Sequence, residues 1–125
     1  MASLSLHRPE KHTVLRSFAG HLEAAPDAVF RGLVKRFGGL SGGDEGQSLV
    51  DEASLTVIVQ GNWWYRGEYR ARPEGTGTLL EYEIVNVAPT AHWAGPIAGR
   101  AVIRSAPADF HALLTELEAE AEASA

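Results

Sequence analysis

Between residues 63 and 88 bulky rings and charged groups alternate with a period of two, and this pattern restricts the chain more than any other. Trp63, Tyr65, Gly67, Tyr69 and Ala71 fall on one side of the alternation, and Trp64, Arg66, Glu68, Arg70 and Arg72 on the other. A two-residue repeat belongs to a β-strand, whose successive side chains point to opposite faces. Beyond Gly75-Thr76 the pattern resumes, with Leu80, Tyr82, Ile84 and Ala88 on one side and Leu79, Glu81, Glu83, Val85 and Val87 on the other. The two apolar faces must coincide if either is to be buried. With a two-residue turn at Gly75-Thr76, that condition sets Tyr69 opposite Tyr82 and Gly67 opposite Ile84. On the far side Arg70 then faces Glu81, with Arg72 and Arg66 diagonal to Glu83. Exposed pairs of this kind are worth roughly 0–1 kcal/mol each, so they select a register more than they hold a sheet together.

A third β-rich run covers 54 to 60, and its parity stays open. A Gly61-Asn62 turn places Thr56, Ile58 and Gln60 with the aromatic face, whereas a bulge or longer loop places Val57 and Val59 there. No helical stretch of ten residues separates these runs, so they read as an antiparallel meander. Upstream, "HTVLRSFAGHLEA" (12–24) suits a strand. "APDAVFRGLVKRFGG" suits an amphipathic helix, with Pro26 and Asp27 at its start and Gly38-Gly39 at its stop. The glycine-rich 38–47 segment reads as a flexible connection. A second Gly/Pro-rich stretch follows at 88–99, then "RAVIRS" as a short strand, and last a helix with Ser105 as N-cap and Pro107 in its first turn. That helix carries Ala106, Phe110, Leu113, Leu114, Leu117 and Ala121 as one stripe. Residues 1–11 are an unpatterned arm, and 12–123 a single domain.

Composition closes several functional classes. The chain has no cysteine, which removes thiolate metal sites and cysteine nucleophiles. Its net charge of −5 resides in the segment from Asp109 onward, which carries Glu116, Glu118, Glu120 and Glu122 without a lysine or arginine. This balance, with glutamates interleaved among Arg66, Arg70 and Arg72, argues against nucleic-acid binding. No apolar run approaches the roughly 20 residues that span a bilayer, so the expectation is a cytoplasmic protein without membrane insertion. No histidine pair has metal-ligand spacing with a carboxylate partner, and no phosphate loop or nucleophile elbow occurs, so neither a metal nor a cofactor is expected.

The order strand, helix, Gly-rich connection, meander, long C-terminal helix resembles the START-like (SRPBCC) superfamily, which includes polyketide cyclases, plant pollen allergens and many small bacterial proteins. The likeness rests on "AAPDAVFRGLV", on "NWWYRGEYRARPEGTGTLLEYEIVNV" and on "SAPADFHALLTELEAEAE". It implies an α+β helix-grip fold, a curved antiparallel sheet wrapped on the last helix, with an apolar cavity between them for a lipid or polyketide-like molecule. The chain departs from the family in lacking a second short helix and further strands after its first helix, so the cavity is expected to be small, open at one side, or filled.

Under that resemblance Trp63, Tyr65, Tyr69, Tyr82 and Ile84 from the sheet and Phe110, Leu113, Leu114 and Leu117 from the helix line the cavity. The three tyrosine hydroxyls serve as polar tips. His92 and Trp93, in the Gly/Pro-rich stretch, would close over its mouth. An ordinary apolar core is the competing reading of every one of these rings. Two further readings stand beside ligand binding. One is a cyclase or dehydratase with His92 or a tyrosine as proton donor. The other is a non-enzymatic assembly protein with a filled core, presenting Trp64 on its charged face or pairing as a homodimer through a sheet edge.

Overall fold

The computed structural model describes residues 4–42 and 46–124. In chain order these form β1 (Thr13–Leu22), α1 (Pro26–Phe37), β2 (Gln47–Asp51), β3 (Thr56–Gly61), β4 (Tyr65–Glu74) and β5 (Gly77–Asn86). After a 3-10 turn at His92–Ala94 come α2 (Gly95–Ala98) and α3 (Arg100–Ser124). The strands make one antiparallel sheet in the order β1-β5-β4-β3-β2. Both α1 and α3 pack on the same side of it, so the expected α+β arrangement of a sheet on a long C-terminal helix is present.

The β4–β5 register is the one the alternation demands: Tyr69 pairs with Tyr82, Gly67 with Ile84 and Arg70 with Glu81. Gly75, the first residue of the two-residue turn, has φ +60, a value that favours glycine. The open parity of β3 resolves in favour of the longer loop. Val57 pairs with Tyr69 and Val59 with Gly67, because three residues, Asn62, Trp63 and Trp64, make the connection.

That odd loop corrects the reading of both tryptophans. The strand begins only at Tyr65, so alternation does not reach back to them. Trp64 turns into the core and is 3% exposed, while Trp63 lies outside at 39%, its indole N–H donating to the Thr90 carbonyl at 2.9 Å. Two other segments differ from expectation. Residues 47–51, at and just beyond the end of the segment read as a flexible connection, form the edge strand β2. "RAVIRS" is the first part of α3 instead of a strand, continuous with the helical turns that follow it. Pro107 therefore sits inside the helix, where it has no N–H for the Ile103 carbonyl. Ser105 is not a cap, and its hydroxyl donates to Asp109 at 2.9 Å.

Close seating of α3 depends on two glycines. A Cβ on Gly20 of β1 would stand 2.4 Å from Leu114, and one on Gly32 of α1 would stand 2.5 Å from Leu117. Both leucines fill the space those missing side chains leave.

The outer face of the sheet is not simply solvated. Arg66 is 1% exposed and Glu68 6%, joined by a 2.8 Å pair. The arm accounts for this: Arg66 donates to the Ser5 and Leu6 carbonyls at 2.8 and 3.0 Å. Arg8 meets Glu68 at 2.7 Å and Glu83 at 2.8 Å. Residues 5–8 thus strap the sheet, Arg66 serves Glu68 where Glu83 was expected, and Arg72 pairs with Glu81 at 2.6 Å. Burial alone would push the Glu68 carboxyl up, but hydrogen bonds from Arg8 and then Arg66 overcome it and hold the group below the ordinary carboxylate range.

Replacing Arg8 leaves Glu68 half satisfied beneath a loosened strap. Arg8→Ala is expected to lower stability by about 1–2 kcal/mol, less than a fully buried pair because Arg8 keeps partial solvent access. Urea denaturation checks this, with Arg8→Lys recovering part of the loss.

Candidate functional site

A cleft of about 370 Å³ opens between the sheet, the last turn of α1 and the stretch of α3 from Val102 to Glu116. Its floor is the aromatic face of β4 and β5, in the form of Tyr65, Tyr69 and Tyr82. Arg36 and Phe37 come from α1, and Val102, Ala106, Asp109, Phe110, Leu113 and Glu116 from α3. The α3 residues recur at helical spacing, which puts them on the flank that overhangs the sheet. Val102, Asp109 and Glu116 are exposed, and so form the rim through which solvent reaches the floor.

The floor is a ladder of rings. Register sets Tyr69, Tyr82 and Phe18 side by side on three adjacent strands. Phe37 stacks on Tyr69 at 4.4 Å between centroids, Tyr69 on Tyr82 at 4.4 Å, and Tyr82 on Phe18 at 5.9 Å, all within 17° of parallel. Phe110 closes the ladder from α3, 6.1 Å from Tyr82. Stacked pairs of this kind are worth about 0.5–1.5 kcal/mol beyond the area they bury, so the floor is stiff.

Tyr65 supplies the polar element. Its ring reaches along β4 across the vacancy at Gly67, where an added Cβ would lie 2.2 Å from the phenol oxygen. Its hydroxyl comes within 2.7 Å of the Tyr82 hydroxyl, and Tyr69 is close enough to couple to both. Burial is the main reason all three phenols are pushed above their ordinary value. Neighbouring tyrosines add to it for Tyr65 and Tyr69, and the Asp109 carboxylate adds to it for Tyr69 and Tyr82. They are therefore neutral O–H groups at any ordinary pH, able to donate and to accept.

Arg36 stands at the other end of the cleft. It is held by the Gly32 carbonyl at 3.2 Å, by Glu116 at 3.4 Å and by Glu120. These carboxylates raise its pKa further, Glu120 first, so the cation is permanent. Asp109, tied to Ser105, belongs to the same rim.

Of the residues expected to line a cavity, Tyr65, Tyr69, Tyr82, Phe110 and Leu113 do so. Ile84, Leu114 and Leu117 are packed elsewhere: Ile84 is buried opposite Gly67, and the two leucines sit against Gly20 and Gly32. Trp63 is outside for the reason given above. His92 does not reach the cleft either. One ring nitrogen lies 2.8 Å from the Ala88 carbonyl and the other 3.0 Å from the Thr13 hydroxyl, so it braces its own turn, and Trp93 beside it stands 76% exposed. Sequence reasoning missed Arg36, Phe37, Val102, Ala106, Asp109 and Glu116 as lining. Ala106 was already on the helical stripe with Phe110 and Leu113, and Phe37 lies on the apolar face of α1 with Val29, Phe30, Leu33 and Val34. Among the described residues no group of three or more histidines, aspartates or glutamates is placed to hold a metal. Nor is any helix among them long and apolar enough to cross a membrane.

No protein-family model matches the chain, and no curated protein does. Among solved structures it is similar to the crystal structure of TTHA0849 from Thermus thermophilus, with 17% identity and a TM-score of 0.54. The match covers 87% of this chain and 97% of that one. At that identity the likeness concerns the fold.

Gly67 tests the geometry of the floor. Gly67→Ala is expected to displace the Tyr65 ring, break its contact with Tyr82 and cost about 1–3 kcal/mol. In a Tyr65→Ala background the same substitution should cost less than about 1 kcal/mol, a non-additivity that urea denaturation of the four proteins measures.

Proposed function

We propose that this chain is a START-like, helix-grip binding protein whose cleft receives a small hydrophobic molecule bearing one hydrogen-bonding group. The observation that carries the reading is the convergence of three neutral tyrosine hydroxyls on a stacked aromatic floor that solvent can still reach. Ligand sites are mainly apolar, with a few placed polar tips, and commonly run from about 300 to 1,000 Å³. A volume of about 370 Å³ lies at the small end of that range, which suits a compact ring system or short-chain lipid fragment better than a sterol. Because Phe37 and Tyr82 already cover the two faces of Tyr69, the floor offers a ligand ring edges and hydroxyls, and a carbonyl or hydroxyl on that ligand would exchange hydrogen bonds with Tyr65 and Tyr82.

Binding is favoured over a cyclase or dehydratase reaction. Phenols held above their ordinary pKa are poor general acids and bases near neutral pH, and His92, the other proton carrier considered, is committed to Ala88 and Thr13 away from the cleft. The assembly reading loses Trp64 as its surface residue, because that ring is buried against the backbone at Gly99.

Native mass spectrometry of protein purified from its own host should reveal a co-purifying apolar molecule. In solution, 1-anilinonaphthalene-8-sulfonate should fluoresce on binding the cleft. Val102→Trp, a change at the exposed rim, should leave folding intact and weaken that binding by about tenfold, the equivalent of about 1.4 kcal/mol. An absence of co-purifying ligand together with dye binding indifferent to Val102→Trp would refute the reading.

A further inference from the structure

From His92 to Arg104 the backbone climbs in an almost unbroken helical course. The Gly95 N–H donates to the His92 carbonyl and so ties the 3-10 turn to α2, and hydrogen bonds from the Gly99 N–H to the Gly95 carbonyl at 2.8 Å and from the Ile103 N–H to the Gly99 carbonyl at 2.9 Å carry the course on into α3. Trp93, Ile97, Arg100 and Arg104 then stand at i, i+4, i+7 and i+11, a single stripe. All four are exposed, Trp93 by 76% and Ile97 by 61%. Val102, Ala106 and Asp109, which α3 gives to the cleft, fall on its opposite flank, so the stripe belongs to a different surface.

Beside it runs a groove of about 360 Å³ between β1 and the start of α3, walled by Leu15, Pro96 and Ile103 and edged by Arg16, Arg100 and Arg104. Among the described residues none of these three guanidiniums forms an ion pair, although Arg8, Arg31, Arg36, Arg66 and Arg72 all do. Arg16 donates to the Leu15 carbonyl at 2.6 Å. In a chain of net charge −5 this is a local excess of positive charge, at the opposite end of α3 from Glu116, Glu118, Glu120 and Glu122.

The turn that carries the exposed indole is held in place. His92 is fixed through both ring nitrogens, its carbonyl accepts from Asn86 at 2.7 Å, and Ala91 before it adopts a left-handed φ of +48. The turn thus presents Trp93 outward from a braced base.

We propose that this face docks peripherally on an anionic phospholipid surface, with Trp93 and Ile97 entering the headgroup region and Arg16, Arg100 and Arg104 meeting phosphates. Tryptophan prefers that interfacial zone, and basic residues are drawn to anionic leaflets. A convex stripe of apolar tips followed by cations fits a soft, negatively charged plane, and the acidic half of α3 then lies away from it. Docking of this kind needs no spanning segment.

Co-sedimentation with vesicles tests it, comparing pure phosphatidylcholine with a mixture of one part phosphatidylglycerol to about two of phosphatidylcholine. The protein should bind the anionic vesicles alone and release as salt rises. Arg100→Gln and Arg104→Gln should each weaken partitioning roughly fivefold. Vesicles should also shift the tryptophan emission to the blue, a response lost in Trp93→Phe. All three substitutions are at exposed positions, and circular dichroism confirms that the variants are folded. If folded wild-type protein ignores anionic vesicles at low salt, the proposal is overturned in favour of an acidic protein partner. Binding that is indifferent to all three substitutions overturns it equally.

Discussion

Everything in this structure depends on the β4–β5 ribbon having two unlike faces in fixed register. Pairing Tyr69 with Tyr82 puts every ring of the hairpin on one side and every ion on the other, and a slip by one residue would exchange them. The ring side recruits the helices: Phe37 from α1 and Phe110 from α3 complete a ladder that the strands begin. The ion side recruits the arm, whose Arg8 and backbone carbonyls satisfy Glu68 and Arg66 where water cannot. A charge pattern that looks decorative in sequence is thus a docking code for the chain's own residues 5–8.

Glycines shape the site as much as aromatics do. Gly20 and Gly32 admit leucines of α3, and Gly67 admits the Tyr65 phenol. The first two bring the helix down at one end. The third turns a side chain that would stand over the sheet into one that lies along it, which brings its hydroxyl to Tyr82 and leaves room above. The cleft is therefore what remains when α3 is seated closely at Leu114 and Leu117 but reaches the sheet near its start only through small or rim residues, Ala106 and Val102.

Sequence made the hairpin register, α1 and the apolar stripe of α3 legible, because each is a local period acting over ten or more residues. It failed where one residue of loop decides a face: with three residues joining β3 to β4, Trp63 and Trp64 exchanged the environments their alternation implied. β2 went unread because five residues after a glycine-rich segment carry too short a signal, and the start of α3 because Val102 and Ile103 suit a strand as well as a helix. Whether His92 meets a ligand or a backbone carbonyl depends on partners far along the chain, Thr13 among them. The acceptors of Arg8 likewise lie 60 and 75 positions away.

The chain has three tyrosines, and all of them stand at the cleft, so their ionisation reports on the site without background. A phenol held above its ordinary value lends stability that is complete below about pH 10 and is lost as pH climbs toward the folded value. Ultraviolet absorbance during an alkaline titration, followed together with circular dichroism, should show no tyrosine ionising in the folded protein and all three ionising in one step as it unfolds. Reversible titration of Tyr69 or Tyr82 near about pH 10 with the fold intact would mean that those rings face water, and the buried aromatic floor on which this account stands would not exist.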